Sequence, residues 1–224
     1  MKEWTVYLNE KEYPVRELST RDIDKILDLQ NIVIEMLENH NFLQPLSREE
    51  VEGTLHNRLM VGLFVEEQLV AFRTLQIPVM DENHLGLDIG LVKEELHKVV
   101  YQEITIVHPN FRGYGLQKKL GHIVMELLVE LPYSIVCATV APFNIPSLKD
   151  KLSQGMKIGA LKPKYQNMLR YVFYKNLNEE TSVYTNKIEV RMADAEQQQE
   201  ILKNGWVGLE ILLKENEWYV VYMK

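Results

Sequence analysis

VHPNFRGYGLQKKLGHIVMELL, residues 107 to 128, is the stretch that decides how this chain is read. Apolar residues 104 to 107 form a strand that runs into Pro109, Arg112, Gly113 and Gly115. Beyond them Leu116, Leu120, Ile123, Val124, Leu127 and Leu128 recur at helical spacing and make one apolar face. Pro132 stops the run. The glycines therefore sit where a strand hands over to the N-terminus of a helix of about four turns.

Such a junction is a ready phosphate site. Gly113 and Gly115 lack a Cβ, so the chain can turn tightly and a ligand can approach the backbone. The first amide N–H groups of the helix have no intrahelical acceptor and lie at the positive end of the macrodipole. Arg112, Lys118 and Lys119 add positive charge. The same features also fit an ordinary strand-to-helix turn with solvated basic residues. Two other glycine motifs are excluded. A dinucleotide fingerprint needs a third glycine at position 118, which is Lys118, and the spacing of a Walker A loop is absent.

The arrangement resembles the acyl-CoA-binding motif of the GNAT superfamily of N-acetyltransferases, Arg/Gln-x-x-Gly-x-Gly/Ala after a strand ending in Val-x-Pro. Here it reads Arg112-Gly113-Tyr114-Gly115-Leu116-Gln117, preceded by Val107-His108-Pro109. Gln117 replaces the final small residue; its larger side chain either crowds the pyrophosphate or donates a hydrogen bond to it. A second block follows downstream, with a strand over residues 134–140, then Asn144-Ile145-Pro146-Ser147, then Gly155-Met156. It is similar to the family's Asn-x-x-Ala/Ser…Gly-Phe block, in which the Asn lies beside the pantetheine. The resemblance covers about residues 13 to 177.

The resemblance implies an α/β fold, the GNAT fold: a mixed, mainly antiparallel central sheet of six to seven strands flanked by about four helices. It implies acetyl-CoA as cosubstrate. The sheet would splay around Val107 and Val140 to admit the pantetheine. Val107 would orient the acetyl carbonyl, and amides of Arg112, Gly113, Tyr114, Gly115, Leu116 and Gln117 would hold the pyrophosphate. Asn144 and Ser147 would lie on the pantetheine side. Many members carry a carboxylate on the motif strand as general base, and Glu103 stands there. The chemistry needs a base, because a protonated amine must lose a proton before it attacks a thioester. Apolar strand neighbours would raise the Glu103 pKa toward that task. A strand-end Glu paired with a Lys or Arg is the competing reading.

In the family a Tyr seven residues after the Asn often protonates the departing thiolate. That position is Lys151, so the role is not carried over. Lys151 reads as a solvated helix lysine or as an electrostatic partner of a thiolate. Tyr114, Tyr165, Tyr171 and Tyr174 are the alternative phenols.

The 224 residues hold 46% hydrophobic and 25% charged residues, a globular balance. Net charge is −7, which argues against nucleic-acid partners and is compatible with a cationic amine acceptor. Cys137 is the single cysteine and, on an apolar strand, reads as a buried inert thiol. The N-terminus lacks the apolar core of a signal peptide, and no apolar run reaches the ~18 residues of a membrane span. The expected location is cytoplasmic. The six histidines, His40, His56, His84, His97, His108 and His122, show no metal-ligand spacing, no Ser-His-Asp arrangement can be argued, and no internal repeat is apparent.

Elsewhere the pattern predicts strands over residues 13–18, 60–65, 69–77, 99–107 and 169–177, and helices opening at Ser19-Thr20 and at the capping box Ser47-Arg48-Glu49-Glu50. The link 39–43 between those helices is either a substrate loop or a polar connector. The charged stretch 78–98 is long for a hairpin connection. It either shapes an acceptor pocket or is a surface excursion. Residues 1–177 are expected to form the GNAT domain. The extension 178–224 is predicted as a strand (187–192), a helix (193–203) and a hairpin about Glu215-Asn216. It is too short for a sturdy core of its own, so it would pack on the main domain or on the partner subunit of a homodimer.

Two functions are compatible with these features. One is an acetyl-CoA-dependent N-acetyltransferase acting on a small-molecule or peptide amine by direct attack in a ternary complex. The other is a non-catalytic acyl-CoA sensor or interaction module on the same scaffold.

Overall fold

A computed structural model describes residues 3–36, 45–165, 167–179 and 183–224. The link 39–43 lies outside them. In chain order the strands are β1 (Glu3–Leu8), β2 (Lys11–Glu17), β3 (Met60–Val65), β4 (Gln68–Gln76), β5 (Val99–Val107), β6 (Ile135–Val140), β7 (Lys157–Lys164), β8 (Met168–Asn176), β9 (Lys187–Arg191), β10 (Val207–Lys214) and β11 (Glu217–Met223). The helices are α1 (Ile23–Glu35), α2 (Arg48–His56), α3 (Leu85–Asp88), α4 (Leu116–Leu127), α5 (Ile145–Ser153) and α6 (Ala195–Lys203). The chain divides into two compact units. The first is Met1–Gln76 with Gln102–Glu130, the second Ile77–Tyr101 with Leu131–Lys224.

In the first unit, β1, β2, β3 and β4 pair antiparallel in sequence order, from Glu3↔Arg16 at one edge to Val61↔Arg73. The later part of β5 follows β4. Burial drives the arrangement: β3 and β4 are buried on both faces, and α1 and α4 pack against β4. Ile26, Leu29, Val51, Met60, Phe72 and Ile106 form the core. The capping box that opens α2 is formed in both directions, with Glu50 N donating to Ser47 Oγ at 3.2 Å and Ser47 N to Glu50 Oε2 at 2.7 Å.

In the second unit the start of β5 pairs in parallel with β6, from Val99↔Ile135 to Tyr101↔Cys137. The order continues β6, β8, β7, β10, β11, β9, antiparallel throughout. The stretch 78–98 carries α3 and a 3-10 turn, and it is packed rather than loose. Leu85 joins Val99, Ile135, Cys137 and Val172 in a buried cluster, and Asp88 pairs with Lys162 at 3.0 Å and with Lys164.

The structure adds two strands to the sequence reading, so eight precede residue 177. β1 is short and half polar, and β7 (KIGALKPK) contains a glycine, a proline and three lysines, so neither declares itself by alternation. The structure also corrects the reading that the chain has no internal repeat. The succession β6-α5-β7-β8 recurs as β9-α6-β10-β11. Few residues match between the copies, among them Val140 and Val190, Leu152 and Leu202, and Gly155 and Gly205. The repetition lies in hydrogen-bond register instead. No helix among the described residues is long and apolar enough to cross a membrane.

Candidate functional site

The turn after β5 is built by local backbone bonds. His108 N donates to Val70 O at 2.8 Å, which fixes the end of β5 against β4. The next residues form a 3-10 turn, Pro109–Phe111, closed by Phe111 N to His108 O at 2.8 Å and Arg112 N to Pro109 O at 3.2 Å. Gly113 at φ +86° and Gly115 at φ +68° then occupy left-handed backbone. A Cβ at either would meet nothing within 4 Å, so conformation, not crowding, selects glycine.

α4 begins at Leu116 with Gly115 as its N-cap, and a glycine has no side chain to cap the first turn. Its opening amides are thus left to solvent or a ligand. Arg112, Gly113, Tyr114 and Gly115 are all exposed, while Leu116 is buried and anchors the helix.

Three groups that sequence patterning missed support this turn. The Arg73 side chain on β4 is 1% exposed. Its Nη1 donates to Gln117 O at 3.0 Å and its Nη2 to Gln102 Oε1 at 2.6 Å, tying β4, β5 and the first turn of α4 together. The signal was present as one arginine inside the apolar run of β4. The β1–β2 turn is the second support. Asn9 Nδ2 donates to Tyr114 Oη at 3.2 Å, and Lys119 Nζ donates to Tyr7 O at 2.7 Å. The third is Trp4, whose Nε1 donates to Glu126 Oε2 at 2.9 Å near the far end of α4. A cavity of about 220 Å³ lies between the hairpin and the turn, lined by Asn9, Lys11, Tyr13, Phe111 and Tyr114 among others.

Alternation along β5 puts Glu103 and Val107 on one face of the strand, with Thr105 between them. Glu103 is exposed, so the apolar shielding invoked for the general-base reading is not seen. Val107 is half-buried. Both belong to the first unit with the 112–117 turn.

Asn144 and Ser147 belong to the second unit. Asn144 caps α5, its side chain accepting from Ser147 N at 3.3 Å. Asn144 is exposed and Ser147 half-buried. Lys151 departs from expectation. It is buried, not solvated, and its Nζ lies 3.4 Å from the buried carboxylate of Asp150.

The four phenols differ sharply. Tyr171 is fully buried, donates to Gln198 Oε1 at 2.7 Å, and has its pKa pushed up by burial. Tyr174 is also raised by burial, with Lys157 opposing. Tyr165 is exposed and shares a 3.1 Å bond with Thr139 Oγ1. Tyr114 is exposed on the glycine turn itself. Cys137 is fully buried, and burial raises its thiol far above the ordinary range. Among the described residues no cluster of His, Cys, Asp and Glu could hold a metal ion.

No protein-family profile matches the chain, and no curated protein matches it in sequence. Solved structures do match in fold. A GNAT-family acetyltransferase from Listeria monocytogenes aligns with a TM-score of 0.57 at 17% identity, covering 77% of this chain and 99% of that one. YncA from Salmonella typhimurium, a structure with acetyl-CoA as its cofactor, aligns at 0.56 and 14% identity, covering 79% and 100%. The ribosomal-protein-alanine N-acetyltransferase of Brucella melitensis aligns at 0.55 and 20% identity, covering 73% and 99%. The glycine turn, its capless helix and the mixed strands that carry them belong to a chain with the fold of the GNAT acetyltransferases.

Proposed function

We propose that this protein is an acetyl-CoA-dependent N-acetyltransferase that acetylates a primary amine of a small molecule or peptide by direct attack in a ternary complex. One observation carries the reading: β5 delivers two left-handed glycines to an uncapped helix N-terminus, leaving several amides open to an anion. That YncA, with acetyl-CoA bound, shares this fold supports the choice of ligand.

On this reading the amides of residues 112–117 bind the pyrophosphate, each charge-assisted bond contributing about 1.5–3 kcal/mol. The Arg112 guanidinium adds a charged donor. The backbone at Val107 orients the thioester carbonyl, and Asn144 and Ser147 serve the pantetheine arm. Glu103 takes a proton from the acceptor ammonium. The free amine attacks the thioester carbon, the C–S bond breaks as the tetrahedral intermediate collapses, and the second proton lost by the nitrogen passes to the departing thiolate, giving an amide and CoA thiol. Exposure of Glu103 suits relay of that proton through water. The net charge of −7 favours a cationic acceptor. Residues 1–177 form the catalytic part.

Acetyl-CoA should raise the melting temperature of the protein, and Arg112→Ala should blunt the rise. Thiol release from acetyl-CoA across a panel of amines, lost in Glu103→Gln with CoA binding retained, is the expected kinetic result. Absence of CoA binding at millimolar concentration would sink the proposal. The buried, ion-paired Lys151 at the family's usual phenol position favours a second reading, a CoA-binding module without turnover. CoA binding without thiol release for any amine would select it.

A further inference from the structure

The repeat in the second unit is register-perfect over its length. Asn144 and Asp194, fifty residues apart, each cap a nine-residue helix by accepting from the amide three positions on, Ser147 N and Gln197 N. Gly155 at φ +73° and Gly205 at φ +81° end those helices with equivalent bonds to Leu152 O and Leu202 O. β7 and β10 carry the same bulge, between Ile158 and Ala160 and between Gly208 and Glu210. Val140 opposite Tyr171 corresponds to Val190 opposite Val220.

The strand order β6, β8, β7, β10, β11, β9 is a palindrome of the two copies. They meet antiparallel at Ile158↔Gly208, which are equivalent positions. Like residues facing each other across an antiparallel edge is the signature of a two-fold interface. Here both halves belong to one chain.

The junction is fitted to unlike halves. A Cβ on Gly208 would lie 3.0 Å from Ile158 Cβ, so the glycine makes room that a second isoleucine would fill. Gln198, fully buried on α6, accepts from Tyr171 of the first copy at 2.7 Å and from Tyr222 of the second at 2.9 Å. Its counterpart in the first copy is Leu148, which has no acceptor. A symmetric pairing of β7 with a second β7 would bury the Tyr171 hydroxyl against leucine, an expensive loss. Gln199 Nε2 adds a 2.9 Å bond to Leu161 O of β7.

We infer that residues 187–223 are an internal copy of the 137–174 unit that fills, within one chain, the docking position of a second subunit at β7. The β7 edge therefore takes the chain's own β10 and no second molecule.

Disulfide trapping tests this in the full chain. In a Cys137→Ala background, Ile158→Cys with Gly208→Cys should oxidise to a band at single-chain mass, with none at twice that mass. Ile158→Cys alone should form no covalent dimer and should resist alkylation in the native state, since Ile158 is fully buried. Covalent dimers from either variant, or alkylation of Ile158→Cys as fast as of a denatured control, would overturn the inference. If the double variant does not fold, the alkylation of the single variant decides.

Discussion

Gly115 and Arg73 govern the candidate site in different ways. Gly115 holds φ +68° with open space above it. Gly115→Ala should destabilise the fold by about 1–2 kcal/mol through left-handed strain. Gly115→Asn should cost less, because Asn tolerates that conformation. Both place a Cβ where the proposed pyrophosphate approaches, so both should weaken CoA binding. Calorimetric affinity set beside melting temperature separates the two effects. If Gly115→Asn binds CoA as the wild type does, the backbone there is not a ligand contact. Arg73→Met removes donors from Gln117 O and Gln102 Oε1. Leaving such acceptors buried costs about 1–3 kcal/mol each, so urea unfolding should show a clear loss.

At the scale of elements, the entry to α1 is an electrostatic lock with a pH signature. Burial alone would raise the Asp22 carboxyl, but the paired bond from Arg16 and the Ser19 N–H outweigh it and hold the group below the ordinary carboxylate range. A depressed carboxyl stabilises the fold above its unfolded pKa of about 4 and loses that contribution as pH falls through the folded value. Melting temperature should therefore drop as pH is lowered below about 4, and Arg16→Met should flatten that slope. The helices were legible in sequence because caps and 3.6-residue periodicity are local; Ser47-Glu50 and the apolar face of α4 announce themselves. β7 was not legible, because its glycine, lysines and proline give no alternation and only pairing with β8 and β10 makes it a strand. Lys151 was misread for a related reason. Its spacing along α5 gives no hint that Asp150 is buried beside it.

At the scale of the whole molecule, the β-α-β-β unit occurs twice but the glycine turn once. One CoA should bind per chain, and calorimetry with two equivalents would contradict the proposed site. Asp194 in place of Asn144 also puts a carboxylate in the second copy where the first has a neutral amide. The glycine turn and the Asn144 cap were readable because they depend on special backbone and on a capping side chain. The duplication was hidden, because its two copies agree in register and bulge while their side chains have diverged. That order along the chain also has a consequence for biosynthesis. β7 emerges from the ribosome fifty residues before β10 (157 against 207), at a synthesis rate of roughly 5–20 residues per second. For those few seconds it is an unpaired edge, open to neighbouring nascent chains. Slowed translation between residues 165 and 207 should therefore increase aggregation, and chaperone demand should peak in that window.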